Sequence, residues 1–152
     1  KVFDSDFHGD SSREFHRRCS NISPTLVLIK VKPSDKIIGG FTSLTWDGKL
    51  YKGPDEVASV FSMDEKYFDK FVCFKQENAI FVHDRYGPCF GGGFDLRVYD
   101  NFLSDKAKNI SKLGHSYKNS AAEEVTPVSI DYIRAEYCSG KEDEVNMKKR
   151  SN

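Results

Sequence analysis

The sequence has no excess charge of either sign, since 23 lysines and arginines balance 23 aspartates and glutamates over 152 residues. Nucleic-acid binding usually needs a broad positive field, so this balance argues against nucleic acid as a partner. The sequence also lacks an apolar run long enough to cross a bilayer, and its mean hydropathy is -0.57. We therefore expect a soluble, cytoplasmic protein without direct membrane insertion, and leave open a place at an organelle surface or within a large assembly.

Closely spaced cysteines are absent too. Cys19, Cys73, Cys89 and Cys138 include no CxxC pair, so they resemble neither a dense disulfide framework nor a zinc ribbon. We expect mostly buried, reduced thiols, although the even count leaves disulfides open. Cys73, His83 and Cys89 are separated by ten and six residues, which matches no common metal-ligand spacing. The sequence therefore predicts no metal site.

Phosphate-loop signatures are also missing. Gly91, Gly92 and Gly93 are consecutive, but no GxGxxG pattern and no GxxxxGK followed by Ser or Thr surrounds them. The residues that follow alternate as a strand does, whereas a phosphate loop opens a helix. We interpret the glycines as a place of close backbone passage and predict no cofactor.

No catalytic constellation is evident. Cys89 with His83 or His115 would give a thiol whose pKa a neighbouring imidazolium lowers. No oxyanion hole or third orienting group accompanies this pair. We therefore predict no catalytic residues, and keep a thiol-dependent antioxidant enzyme that uses Cys89 or Cys138 as an alternative.

Aromatic residues, in contrast, are plentiful: twelve Phe, seven Tyr and one Trp, as is typical of a β-sandwich core. Capping-box spacing from Ser11 to Glu14 predicts a helix over Ser12–Cys19. The apolar run TLVLIKV predicts a strand over Thr25–Val31. We predict further strands at 36–42, 57–63, 67–74, 79–83, 95–99 and 128–138, an extended segment at 1–9, a loop at 43–55 and a long polar loop at 100–127.

Two of these strands carry signs of irregularity. Gly39-Gly40 in the second strand marks a bulge or a close backbone approach. In the last strand, Val128, Ile130 and Tyr132 alternate, and the pattern continues on a shifted phase with Ile133, Ala135 and Tyr137, as a bulge would allow.

Three other residues have two interpretations each. Asp95 and Glu136 lie in or beside apolar strands, where a carboxylate either serves function or caps a turn and pairs with a cation such as Arg97 or Arg134. We favour the structural role. Trp46, in the predicted loop, is either an exposed binding anchor or part of the core, and we favour the core.

Taken in order, several segments resemble the TLDc domain family. They are FHRRC (15–19), PTLVLIK (24–30), IGGFTS (38–43) with Trp46 following, VFSM (60–63), YGPCFGGGFDL (86–96) and SKLGHSY (111–117). The resemblance runs from Val2 to Cys138. It predicts one domain over 1–138 that lacks the family's usual opening segment, followed by a charged tail over 139–152.

The resemblance implies a mainly β fold, a two-sheet antiparallel β-sandwich flanked by short helices and long loops, which the strand pattern predicts independently. The family-motif positions are Gly39, Gly40, Phe41, Trp46, Gly91, Gly92, Gly93, Asp95 and Glu136. Two departures are visible. Phe41 stands where Tyr is usual, and Tyr137 stands where many members have Val after the Glu of the last strand.

The resemblance also implies a function. Members of the family are associated with resistance to oxidative stress and with binding the vacuolar-type proton ATPase (V-ATPase), and no catalytic mechanism is established for the fold. We therefore predict a non-enzymatic protein-interaction module whose partner is the proton ATPase or another large complex. A structural subunit of a large cytoskeletal or organellar assembly is the second alternative, beside the thiol enzyme.

Overall fold

The structure is a computed structural model that describes residues 1–92, 94–104, 109–111, 117, 126–127 and 130–138. Several predicted features lie outside the described residues: Gly93, His115, the tail over 139–152, much of the polar loop over 100–127 and the start of the last strand.

The described strands follow one another along the chain. They are β1 (Phe3–Asp4), β2 (Thr25–Val31), β3 (Ile37–Thr42), β4 (Leu50–Lys52), β5 (Ser59–Met63), β6 (Phe68–Val72), β7 (Ile80–Val82), β8 (Tyr86–Phe90), β9 (Leu96–Tyr99), β10 (Ile110–Ser111), β11 (Thr126–Pro127) and β12 (Ile130–Tyr137).

These strands form two antiparallel sheets. The first sheet has the order β1-β12-β2-β3-β5-β6, and the second has the order β11-β10-β9-β8-β7-β4, in which β10 and β11 are two-residue strands. Residues of both sheets, such as Val27, Ile29, Ile80 and Leu96, belong to one buried cluster between them. The predicted mainly β, two-sheet fold is confirmed.

The helices are short: α1 (Ser5–His8), α2 (Ser12–Cys19) and a single 3-10 turn at Gln76–Asn78. The predicted bounds of α2 are confirmed, and its cap is the predicted one, because the Glu14 backbone N–H donates to Ser11 Oγ at 3.1 Å. α2 buries Phe15 against the core. Among the helices that the structure describes, none is long and apolar enough to span a membrane.

Three local predictions were wrong. Residues 1–9 were expected to be extended but contain α1, which Asp4 caps by accepting the Asp6 backbone N–H at 3.1 Å. The expected loop at 43–55 contains the edge strand β4, which pairs with β7. The segment 86–90, for which we predicted no strand, is β8, and a register shift between Tyr86 and Cys89 accommodates Pro88.

An aromatic ring packs directly against the backbone of Gly39 and another against that of Gly40, on opposite faces of β3. A Cβ on Gly40 would lie 2.4 Å from the Phe90 ring, and a Cβ on Gly39 would lie 2.7 Å from the Phe61 ring and 2.0 Å from the Val27 carbonyl oxygen. The register with β2 and β5 runs unbroken through both residues, so the pair marks a close approach and not a bulge. In β12, by contrast, the register does shift. The predicted irregularity is present, but it lies between Ile130 and Tyr132, before the predicted change of phase after Tyr132.

Candidate functional site

The glycine-rich stretch forms the turn between β8 and β9. Gly91 has a φ of 91° and Phe94 a φ of 57°, and the Phe94 N–H donates to the Gly91 carbonyl at 3.2 Å. A Cβ on Gly91 would lie 1.9 Å from Asp95 Oδ1, so only glycine lets the buried carboxylate approach here. Asp95 Oδ2 in turn accepts the Tyr117 backbone N–H at 3.2 Å. The segment joins two strands, and Asp95 anchors the backbone of Tyr117 to it.

Trp46 lies in the core. Its ring is fully buried, and its indole N–H donates to Thr25 Oγ1 at 2.9 Å. Phe15 and Phe90 make edge-to-face contacts with it at centroid distances of 5.6 and 5.5 Å. Its polar atom is satisfied and its ring is enclosed, so Trp46 is not an exposed binding anchor.

Glu136 is only half-buried, on the outer face of β12. On the same strand, Arg134 Nε lies 3.4 Å from the carboxylate of buried Asp4, an ion pair longer than a good hydrogen bond. The Arg134 guanidinium also lies over the Tyr132 ring, 4.0 Å from its centroid. The ion pair joins β12 to β1 at the edge of the first sheet, and the Tyr132 ring supports the Arg134 side chain from the same strand.

The Cys19 and Cys89 thiols are poorly suited to nucleophilic chemistry. Burial raises the pKa of both Cys19 and Cys89 to about 12, so the reactive thiolate is disfavoured at neutral pH. The Cys89 thiol contacts the Val98 carbonyl oxygen at 3.6 Å, whereas His83 Nδ1 accepts the Arg85 backbone N–H at 3.1 Å. Cys89 and His83, one of the two Cys–His pairs considered from the sequence, therefore each bond to a different partner. Within the described part of the chain, no group of three His, Cys, Asp or Glu residues could hold a metal ion.

A polar cavity of about 420 Å³ lies at the start of α2. Its polar atoms bond to one another: Ser12 Oγ donates to the Asp84 carbonyl at 2.6 Å, and the Ser12 N–H donates to Asp100 Oδ1 at 2.8 Å. His16 Nε2 lies 2.7 Å from the Tyr86 carbonyl oxygen. These bonds hold α2 against the second sheet, which is a sufficient role for them.

The outer face of the first sheet has a different character, because it is apolar and open. Val27 and Ile29 of β2 point into the core, so Leu26 and Leu28 point outward. The strand registers then place the outward side chains of β2, β3, β5 and β6 in three rows: Leu26, Phe41, Ser59 and Val72; Leu28, Gly39, Phe61 and Lys70; Lys30, Ile37, Met63 and Phe68.

These rows line a groove of about 490 Å³, called the outer groove below. Its lining residues are Leu26, Leu28, Phe41, Val57, Ser59, Phe61, Met63, Phe68 and Lys70. Phe68 is 62% exposed and Val57 is 56% exposed, and beside them Val72 is 55% exposed. A contiguous apolar surface of this kind, with a cation at its border, is typical of a protein-interaction site.

The outer groove was not predicted from the sequence, although one signal for it exists. An antiparallel strand with a solvated face alternates apolar and polar residues. In the segment Thr25–Val31, however, Leu26 and Leu28 are as apolar as the core residues between them. That departure from alternation indicates that the second face is also used.

A family model described as "TLDc domain" matches residues 1–133 of the chain. The comparison with curated proteins gave no match.

Proposed function

We propose that this chain, which belongs to the TLDc domain family, acts without catalysis as a protein-interaction module, and that the outer groove is its contact surface. The exposure of apolar side chains on a regular, well-packed sheet carries this proposal. Phe68, Val57 and Val72 are each more than half exposed, although burying such side chains stabilises a contact by about 1.5–3 kcal/mol apiece. Phe68 and Val72 lie on the regular strand β6 and Val57 in the turn before β5, so a partner meets a preformed surface.

The partner in this proposal is the V-ATPase or another large assembly, and the role is linked to resistance to oxidative stress at the cytoplasmic side of an organelle. The family resemblance supplies the identity of the partner, and the outer groove supplies the means of contact. A fixed structural subunit of a cytoskeletal or organellar assembly would use the same surface but would not dissociate from the assembly.

Co-purification from native membranes under mild conditions tests the proposal. We expect the tagged wild-type protein to recover proton-ATPase subunits, and the double variant Phe68→Ser with Val72→Ser to recover at least about tenfold less, because two buried apolar contacts are lost. Phe7→Ser is the matched control, since Phe7 is 82% exposed on α1 and does not line the outer groove. Recovery of the wild-type protein only as a free monomer would contradict the function. Equal recovery of the double variant would contradict the choice of surface alone.

The thiol-enzyme alternative makes a separate prediction. If the domain is not an enzyme, the purified protein will consume peroxide no faster than the Cys89→Ser variant or the Cys138→Ser variant, each assayed separately, because the raised pKa of Cys89 leaves little thiolate. Peroxide consumption can be followed continuously with an excess of reductant. Catalytic turnover that either substitution abolishes would replace our proposal with the enzyme.

A further inference from the structure

Strand β6 is an edge strand. In the order of the described strands it is the terminal strand of its sheet, and β5 is its neighbour. Two backbone bonds, one beyond each end of the strand, fix which residues bond to β5: the Asp64 N–H donates to the Tyr67 carbonyl at 3.0 Å, and the Cys73 N–H donates to the Ala58 carbonyl at 3.2 Å. Both are bonds between directly paired residues of the same antiparallel ladder.

In an antiparallel ladder, hydrogen-bonded and non-hydrogen-bonded pairs alternate. Odd-numbered residues from Tyr67 to Cys73 therefore bond to β5. The even-numbered residues of β6 point their N–H and C=O groups away from β5, towards the edge of the sheet; they are Phe68, Lys70 and Val72.

The side chains of these same three residues lie on the outer face, at the end of the three rows that form the outer groove. At Phe68, Lys70 and Val72, the backbone can therefore pair with an added strand, and the side chains can contact the residues of that strand. At its far end the edge is bounded by the chain itself, because Tyr117 forms an isolated antiparallel bridge with Cys73. Among the described residues, none pairs with this edge at Phe68 or Lys70.

We propose that an extended segment of a partner protein adds to β6 as a further strand, with an acidic residue directly across from Lys70 and apolar residues across from Phe68 and Val72. The inference rests on the proposed function, since it describes how the interaction module recognises its partner. In strand addition, main-chain hydrogen bonds supply affinity and the alternate side chains supply specificity. Lys70 lies between two apolar residues, so an acid in the middle of the added strand makes the favourable cross-strand pair.

A second copy of this chain fits the edge poorly. If Phe68 pairs with Val72 of the other copy, Lys70 faces Lys70. If Phe68 pairs with Lys70, Asp69 faces Asp69. A third register, with Lys70 across from Val72, avoids both pairs but would place the other copy against Cys73, where Tyr117 already forms its bridge. Like charges directly across a ladder are destabilising, and natural edge strands use them against self-association. The charges of β6 therefore favour a different, acidic strand over a homodimer.

The experiment is an NMR titration of the ¹⁵N-labelled chain with the peptides TTVTETVTT and TTVTKTVTT. We expect the first to shift the amide signals of Phe68, Lys70 and Val72 and to bind about tenfold more tightly than the second, because the central charge meets Lys70. In the Lys70→Glu variant the preference should reverse. Lys66→Glu, a charge reversal outside the outer groove, is the matched control and should keep the wild-type preference.

Methylation of peptide nitrogens separates strand addition from contact through side chains alone. The central glutamate pairs with Lys70 through its backbone, so methylating its nitrogen removes a bond to β6 and should abolish most of the shift. Methylating the nitrogen of either adjacent threonine, which points away from β6, should leave binding nearly unchanged. Equal effects of these methylations would overturn the proposal, as would the absence of shifts at millimolar peptide or a preference that Lys70→Glu leaves in place.

The two proposals can fail independently. Recovery of proton-ATPase subunits without peptide binding at β6 overturns strand addition and leaves the interaction module standing. Peptide binding at β6 without any recovered assembly supports strand addition and overturns the proposed partner.

Discussion

The outer faces of the two sheets differ in how far their apolar side chains are covered. On the second sheet, aromatic rings cover one another: Phe81 has the rings of Tyr51, Tyr86 and Phe94 at centroid distances of 4.9, 5.3 and 5.2 Å. Arg97 extends over Phe94, 5.4 Å from its centroid. Phe81 is consequently only 7% exposed, even though it points away from the core.

The outer face of the first sheet has the same kind of residues without the covering. Phe68 stacks on Phe61 at a centroid distance of 6.0 Å, but its own ring is 62% exposed. Val72 and Val57 beside it are also exposed. Apolar residues on an outer face therefore do not by themselves mark an interface. The outer groove differs from the outer face of the second sheet because its apolar side chains do not enclose one another.

The largest expected difference between the faces is in stability. Phe81→Ala removes a ring that three others enclose, so we expect the free energy of unfolding to fall by about 3 kcal/mol, as for a core phenylalanine. Phe68→Ala removes a mostly exposed ring and should cost less than about 1 kcal/mol. Urea unfolding of both variants, followed by the fluorescence of buried Trp46, measures the pair. Similar losses at the two positions would mean that Phe68 is as enclosed as Phe81, and the comparison would not hold.

Much of the fold could be predicted because its signals are local. The β-branched run of Thr25–Val31 and the Ser11–Glu14 cap each specify an element within a few residues. β4 has no such signal, since it is three residues long and begins at Leu50 with a φ of 65°. The turn-forming glycines on either side of it, Gly48 and Gly53, suggested a loop.

The outer groove could not be predicted because its residues come from four strands. Leu26, Phe41 and Val72 lie in one row only through the registers of β2 with β3, β3 with β5 and β5 with β6. Register depends on pairing between distant segments, and a shift of one residue would move every side chain to the other face. Gly39 and Gly40 likewise show what the sequence alone cannot predict. The sequence indicates a close approach at Gly39 and Gly40, but only the registers place Phe61 outside and Phe90 inside.

A smaller difference in stability is expected between proline substitutions at two adjacent positions of β6, at the edge of the first sheet. Proline cannot donate a backbone hydrogen bond, so its cost depends on where the replaced N–H points. Asp69→Pro removes a bond to Ser62 of β5 and should lower the free energy of unfolding by about 2 kcal/mol. Lys70→Pro removes an N–H that points to the open edge and should cost less than about 1 kcal/mol. Thermal unfolding of the two adjacent variants measures the difference directly. If Lys70→Pro is as damaging as Asp69→Pro, the edge of β6 is already engaged within the chain. No strand could then add to the first sheet at β6. If only Asp69→Pro is damaging, the uncovered apolar face of the first sheet and a backbone edge able to accept a further strand occur together at β6, whereas the outer face of the second sheet is covered by its own aromatic rings.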